Sequence, residues 1–279
     1  MLGRILCLLL LGLAAAPAQT AVVKVGGRSV RIPRPEGFLR YDGKSTKIDG
    51  MQASFAPASN HILAAFGEPA DLQSAVADEF PRLSRSFNVQ ANWQYEDAVL
   101  TTEEFAAVKT ALSEQLGSLK STAPARPERV EVARTEPAEI HAALTEVEKS
   151  ASSAVSAKLN SALRVKVGEV APLGVFAETP ESICFLMVVK SRLAGAPLED
   201  PIDPNTAVAG CVALVRDRLL YLYANASYDG KPDADWAREQ IVLWRDAVLA
   251  ANAPGAPDGE DLPPEPMADD DGPWWRRKA

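Results

Sequence analysis

The sequence predicts an α+β fold, an antiparallel sheet with a C-terminal four-strand meander, covered by helices. Three observations carry this expectation. Four strand-like runs follow one another between residues 163 and 228, separated only by short turn-forming stretches. Connections that short suit antiparallel neighbours, because parallel strands need a long crossover. Amphipathic helical patterns flank the runs, which places helices over a sheet.

The elements follow in order. "VVKVGGRSVRIP" alternates apolar and polar residues on both sides of Gly26-Gly27. The glycine pair supplies the positive φ angles of a two-residue turn, so a β-hairpin is expected, ended by Pro33 and Pro35. "HILAAF", residues 61–66, reads as a short buried strand, "DLQSAVADEF" as a short helix, and "SFNVQANWQY", 86–95, as another strand. Thr101 and Glu104 stand at capping-box spacing before Phe105, Val108, Leu112 and Leu116, which share one helical face. Gly117 is the expected end of that helix.

Residues 121–137 are rich in proline and charge and read as a linker or exposed crossover. A long helix is expected over 138–162, where Ile140, Leu144, Val147, Ala151, Val155 and Leu159 recur at helical spacing. After the meander, "DADWAREQIVLWRDAVLAAN" forms a helix with Trp236, Ile241, Trp244 and Val248 on its apolar side and Asp233 as N-cap. The expected organisation is therefore an N-terminal α/β part over 19–120, the linker, and a C-terminal part over 138–252 packed against the first. Residues 253–279 are proline-, glycine- and acid-rich and are expected to be disordered.

The N-terminus reads as a secretory signal peptide, residues 1–18. Arg4 precedes an apolar run from Ile5 to Leu13, and Ala16-Pro17-Ala18 forms a small-x-small cleavage pattern. The run is far shorter than the roughly 20 residues of a spanning helix. The mature protein is expected to be soluble and exported, periplasmic or secreted. Cleavage after Ala18 removes Cys7 and leaves Cys184 and Cys211 in an oxidising compartment. Both lie on consecutive strands of a hairpin centred near residues 197 and 198, where they would face each other. A structural disulfide is the hypothesis, with two reduced core cysteines as the alternative.

Composition excludes several functions. Of 279 residues 47% are apolar and 24% charged, enough for a packed core, and the net charge is -8 with scattered basic residues. Nucleic acid, whose phosphates demand a basic stripe, is not an expected partner. "GFLRYDGKST", residues 37–46, ends like a phosphate loop, yet five residues separate Gly37 from Gly43 where four are required. No strand precedes it, so no nucleotide is expected; a surface turn at Asp42-Gly43 with solvated Lys44 and Lys47 is the reading.

The histidines are His61 and His141, and neither belongs to a His-Glu-x-x-His or accompanies a Gly-x-Ser-x-Gly elbow. Asp229, Asp233 and Asp235 cluster without EF-hand spacing and read as a turn and helix start. No catalytic residue, metal or cofactor is assigned. The tail carries seven acids against three bases and closes on Trp274, Trp275, Arg276, Arg277 and Lys278. Trp beside Arg suits docking to an envelope protein, with membrane contact at most peripheral.

"IPRPEGFLRYDG" followed by "FAPASNHILAAF" resembles the N-terminal half of small exported proteobacterial proteins. In order of elements, the meander and the Trp-containing last helix, residues 165–252, resemble the PsbP/Mog1-type α/β/α sandwich. That resemblance implies a non-enzymatic scaffold that binds partners. The functional expectation is thus an exported, soluble, non-enzymatic accessory or partner-binding protein. The alternatives are an enzyme with a cryptic carboxylate-based site, which requires a pocket of acids with shifted pKa values, and a small-molecule binding protein.

Overall fold

A computed structural model describes residues 20–45, 48–49, 52, 56–57, 59–77, 83–121, 170–190 and 205–256. The hairpin comprises β1 (Thr20–Val25) and β2 (Arg28–Pro33). Gly26 and Gly27 take φ angles of 52° and 74°, the left-handed pair that matches the twist of the strands. The main sheet is built from β3 (Leu39–Arg40), β4 (Asn60–Gly67), β5 (Arg85–Asn92), β6 (Val170–Thr179), β7 (Ser182–Lys190), β8 (Asn205–Val215) and β9 (Arg218–Ser227). Its order is β3-β4-β5-β9-β8-β7-β6, and every neighbouring pair is antiparallel. The meander β6 to β9 is present as expected. The two halves of the chain join through β5 and β9 in one sheet, so the N-terminal and C-terminal parts share a core.

Helices α1 (Pro69–Ala77) and α2 (Thr102–Ser121) lie on one face, and α3 (Lys231–Ala251) lies on the other. The result is an α/β/α sandwich. On the α3 face the row Cys184, Cys211, Leu222, Val89 and Ala64 crosses the sheet through the strand register. Above it pack Ile241, Trp244 and Val248 of α3 and the hairpin's Val23, Val25, Val30 and Ile32. Phe87 sits at the centre, edge-on to Phe38, Trp236 and Trp244 at 4.8, 5.8 and 5.1 Å. The hairpin is held to α3 by polar contacts as well. Trp244 Nε1 donates to the Pro33 carbonyl at 2.7 Å, and Asn252 both accepts from and donates to the Arg31 peptide.

On the other face Phe105, Val108, Leu112 and Leu116 of α2 cover Ile183, Phe185, Val212 and Leu219. The close approach there needs Gly210: a Cβ at that position would stand 2.5 Å from the Phe185 ring. The capping box forms as expected, with Glu104 accepting the Thr101 N–H at 2.8 Å and Thr101 Oγ1 accepting the Glu104 N–H at 3.2 Å.

Two local expectations are corrected. The helix α2 runs through Gly117 to Ser121, because an interior glycine costs only about 1 kcal/mol and the next proline, Pro124, stands beyond the helix end. Asp233 is not the N-cap of α3; that position is Gly230. Asp233 sits in the first turn and reaches back to accept the Asp229 N–H at 2.9 Å. The signal segment 1–18, the helix at 138–162 and the tail from 257 lie outside the described residues, as does most of the 121–137 linker.

Candidate functional site

The candidate site lies at the β3–β4 end of the α1/α2 face and begins with the turn first read as "GFLRYDGKST". After β3 the chain stays tied to β4. Tyr41 N–H donates to the Ala65 carbonyl at 3.0 Å, and Asp42 Oδ1 accepts the Ala65 N–H at 2.9 Å. Arg40 grips the same carboxylate with its fork, Nε to Oδ1 at 2.9 Å and Nη2 to Oδ2 at 2.8 Å. Asp42 is therefore not a free turn residue; it joins two strands. Lys44 is exposed, as expected, and Lys47 lies outside the described residues.

The turn then curls back so that Gly43 N–H donates to Asp49 Oδ1 at 3.2 Å. Tyr41, Asp42, Asp49 and Gln52 thus face Asn60 and Ile62 of β4 across an open cavity of about 430 Å³, while the intervening His61, the register partner of Ala91, turns its side chain to the α3 face. Ala56, Pro57, Ile62 and Ala65 supply apolar wall. The volume lies within the range of small-molecule sites.

The electrostatics of this cavity are unusual. The Tyr41 side chain is fully buried, and among the described residues its hydroxyl has no hydrogen-bond partner. Burial pushes its phenol well above the ordinary value, and the charges of Asp42 and Asp49 add to the effect. Burial also raises the Asp49 carboxyl; the Gly43 N–H opposes that, and Asp42 reinforces it. His61 is pushed down by burial, against the pull of Glu96. Its Nε2 stands 3.3 Å from Glu96 Oε2, its ring stacks on Trp93 with centroids 3.7 Å apart, and its buried Nδ1 has no partner among the described residues.

Behind the cavity wall runs a chain of buried amides. Asn92 Nδ2 donates to Asn60 Oδ1 at 3.2 Å, Asn60 Nδ2 to Gln90 Oε1 at 3.1 Å, and Gln90 Nε2 to Asn88 Oδ1 at 2.8 Å. A buried polar network of this kind is tolerated because its members satisfy one another. It holds Asn60, and with it the adjoining His61, in a fixed place on β4.

The residues singled out from the sequence fall elsewhere. Cys184 and Cys211 pair across β7 and β8 and are joined in a disulfide on the α3 face, opposite the cavity. The hairpin geometry inferred from their spacing is the observed one. Arg245 Nη1 reaches Cys184 Sγ at 3.6 Å, beneath α3. Trp274, Trp275, Arg276, Arg277, Lys278 and His141 lie outside the described residues. Asp235 pairs with Lys231, and Asp233 serves the helix start, so that acidic group is local to α3.

Tyr41, Asp49, Asn60 and Glu96 are the residues that sequence reasoning passed over. The available signal was the alternation Ser86, Asn88, Gln90, Asn92, which ordinarily marks a solvated strand face. Among the described residues, no group of three or more His, Cys, Asp or Glu is placed to hold a metal. Among the same residues, no helix is long and apolar enough to cross a membrane.

No family model matches the chain, and no curated protein matches it. Among solved structures it is similar to the Saccharomyces cerevisiae Ran-binding protein Mog1p, at 10% identity and a TM-score of 0.28, over 84% of this chain and 93% of that one. A point mutant of the protein Mog1 is similar over the same shares, at 11% identity and a TM-score of 0.27. Ran binding is a description of that protein.

Proposed function

We propose that this chain is an exported, non-enzymatic accessory protein of the cell envelope that works by binding, and that the cavity between Tyr41, Asp49 and Asn60 is where it binds. One observation carries the reading: Tyr41, Asp42, Asp49 and Asn60 border a cavity of about 430 Å³ whose remaining wall, Ala56, Pro57 and Ile62, is apolar. The exported setting is supported by the signal-like residues 1–18 and by a disulfide that suits an oxidising compartment. The resemblance of the Ile32–Gly43 and Phe55–Phe66 stretches to small exported proteins agrees with it.

The test is an NMR titration of the mature chain, residues 19–279, with a panel of amino acids, amines, polyols and carboxylic acids. The amide signals of Gly43 and Ala65 report the cavity, because each N–H is tied to one of its carboxylates. The reading stands if a solute moves both signals and is recovered unchanged. It falls if no solute does so.

A second reading, an acid–base enzyme at the same cavity, is favoured by the raised carboxyl of Asp49 on its rim. Consumption of a solute in the same titration would establish it. The Trp274–Lys278 segment is proposed as a separate contact to an envelope partner. Capture by the full mature chain, and not by one ending at Ala256, would support that contact. Ala256 is the proper end point, since Arg216 holds its carbonyl and Asn252 holds β2.

A further inference from the structure

The described chain leaves the fold at Ala256, beside a loop that is both acidic and aromatic. We infer that the segment Trp274–Lys278 docks within its own chain on that loop, residues 93–104 after β5, with Trp93 as its platform. This contact is independent of the cavity.

The loop carries apolar surface that the fold leaves uncovered. Trp93 is 58% exposed and Val99 60%. One face of the Trp93 indole lies on the His61 ring, with centroids 3.7 Å apart, and His61 is in turn paired with Glu96 at 3.3 Å. The indole is thus fixed in place with its other face open, and using it costs little ordering entropy. Charge on the loop is one-sided. Residues 93–104 include Glu96, Asp97, Glu103 and Glu104 and no Lys or Arg. Glu96 and Glu104 are engaged, by His61 and by the Thr101 N–H. Asp97 and Glu103 are exposed and have no ion pair among the described residues. Cations of the hairpin and the β8–β9 turn are directed elsewhere. Arg216 and Arg218 donate to main-chain carbonyls and Lys24 to Ser29 Oγ, which leaves Arg28 exposed at the hairpin tip.

A segment of matching chemistry lies in the same chain. Trp274 and Trp275 bring aromatic surface, and Arg276, Arg277 and Lys278 bring three positive charges with no acid among them. A guanidinium over the open face of an indole is a favourable contact, and the fold already uses one where Arg85 lies over Trp236 at 4.6 Å. The exit is well placed. Arg216 donates to the Ala256 carbonyl, and its neighbour Asp217 accepts the Leu100 N–H, both at 3.1 Å. Consecutive residues of one turn therefore hold the start of the tail and the acidic loop. Between Ala256 and Trp274 stand 17 residues. They span about 60 Å when extended and roughly 20–25 Å on average, ample for the return. They also hold all seven acids of the tail, which the loop repels, so the basic end is the part drawn in. A tether of this length keeps the segment at a local concentration in roughly the millimolar range. A contact too weak to hold between separate molecules is then formed much of the time within one. A partner that takes Trp274–Lys278 has to displace it from Trp93.

The test reads the Trp93 indole N–H by NMR in the full mature chain, residues 19–279, with the signal assigned by Trp93→Phe. The comparison chain carries Trp274→Ala with Trp275→Ala, and unchanged Trp236 and Trp244 signals serve as its control for folding. The Trp93 signal is expected to differ between the two chains, by the same amount after tenfold dilution. Salt at about 0.5 M, or Asp97→Asn with Glu103→Gln, should move the wild-type signal toward that of the comparison chain. A synthetic peptide of residues 272–278 added to the comparison chain should bring its Trp93 signal to the wild-type position, with a Kd of about 1 mM. Identical Trp93 signals in the two chains overturn the inference. So does a difference that fades on dilution, which would seat the segment on a second copy. A difference indifferent both to salt and to the two acid substitutions overturns it as well, since charge selects the seat.

Discussion

The two sides of β5 are made from one strand and solve opposite problems. Phe87, Val89 and Ala91 enter the α3 core, while Ser86, Asn88, Gln90 and Asn92 point to the other face, and both rows are buried. The first row gains roughly 25 cal/mol for each Å² of apolar surface removed from water. The second must recover the desolvation of four polar side chains, and its amide chain does little more than that. Stability alone would place valine or leucine there. A sheet that keeps amides beside a cavity keeps them for position: they fix Asn60 on a wall that also carries Tyr41 and Asp49.

The comparison is broken most severely at its apolar side. Phe87→Ala should cost about 3–5 kcal/mol in urea unfolding, since the ring is fully buried among three other aromatics. Removing the disulfide on the same face by Cys184→Ser with Cys211→Ser should cost about 3–4 kcal/mol, from the loop entropy of a separation of 27 residues. On the polar side Asn60→Ala should cost less, about 1–3 kcal/mol, by stranding Gln90 Oε1 and Asn92 Nδ2. It should also disturb the Ala65 amide in NMR spectra, whereas Phe87→Ala acts through global unfolding.

The smallest effect is a pH slope, set by His61 at the end of β4, where the apolar row gives way to Trp93 and Glu96. Burial holds folded His61 below its ordinary 6.5, so the unfolded chain takes up a proton first as pH falls. Stability is then full above about pH 6.5 and declines as pH drops through the folded value. Asp49 slopes the other way in a more acid window: its folded value is raised above 3.8, so its contribution is present below that pH and is lost as pH rises through the folded value. Urea midpoints at about pH 7.5 and about pH 5.5 should differ for the wild type and differ less for His61→Gln.

Much of the fold was legible in the sequence because its signals are local. Gly26-Gly27 between alternating runs, the Thr101–Glu104 box and the short turns of the meander each act within a few residues. The pairing of β5 with β9 was not legible, since Asn88 and Tyr223 meet across more than a hundred residues without a local mark. The site failed for the same reason. Asp42 looks like a turn aspartate until Ala65 is beside it, and His61 looks like an ordinary strand residue until Glu96 and Trp93 arrive from the end of β5. The amide row misled differently: period two reports which residues share a face, and burial of that face depends on what lies over it.

The tip of the hairpin carries a consequence for anyone altering this protein. A Cβ at Gly26 would lie 2.1 Å from the main-chain oxygen of Glu96, and Arg218 Nη2 holds the Gly26 carbonyl at 3.1 Å. Glu96 is the residue whose side chain faces His61. A turn that looks like a free place for a tag, a dye or a graft is therefore wedged against the loop that sets the histidine's proton. An insertion at Gly26-Gly27 would be transmitted to His61 without touching it, and labelling schemes are better directed to an exposed position such as Leu243.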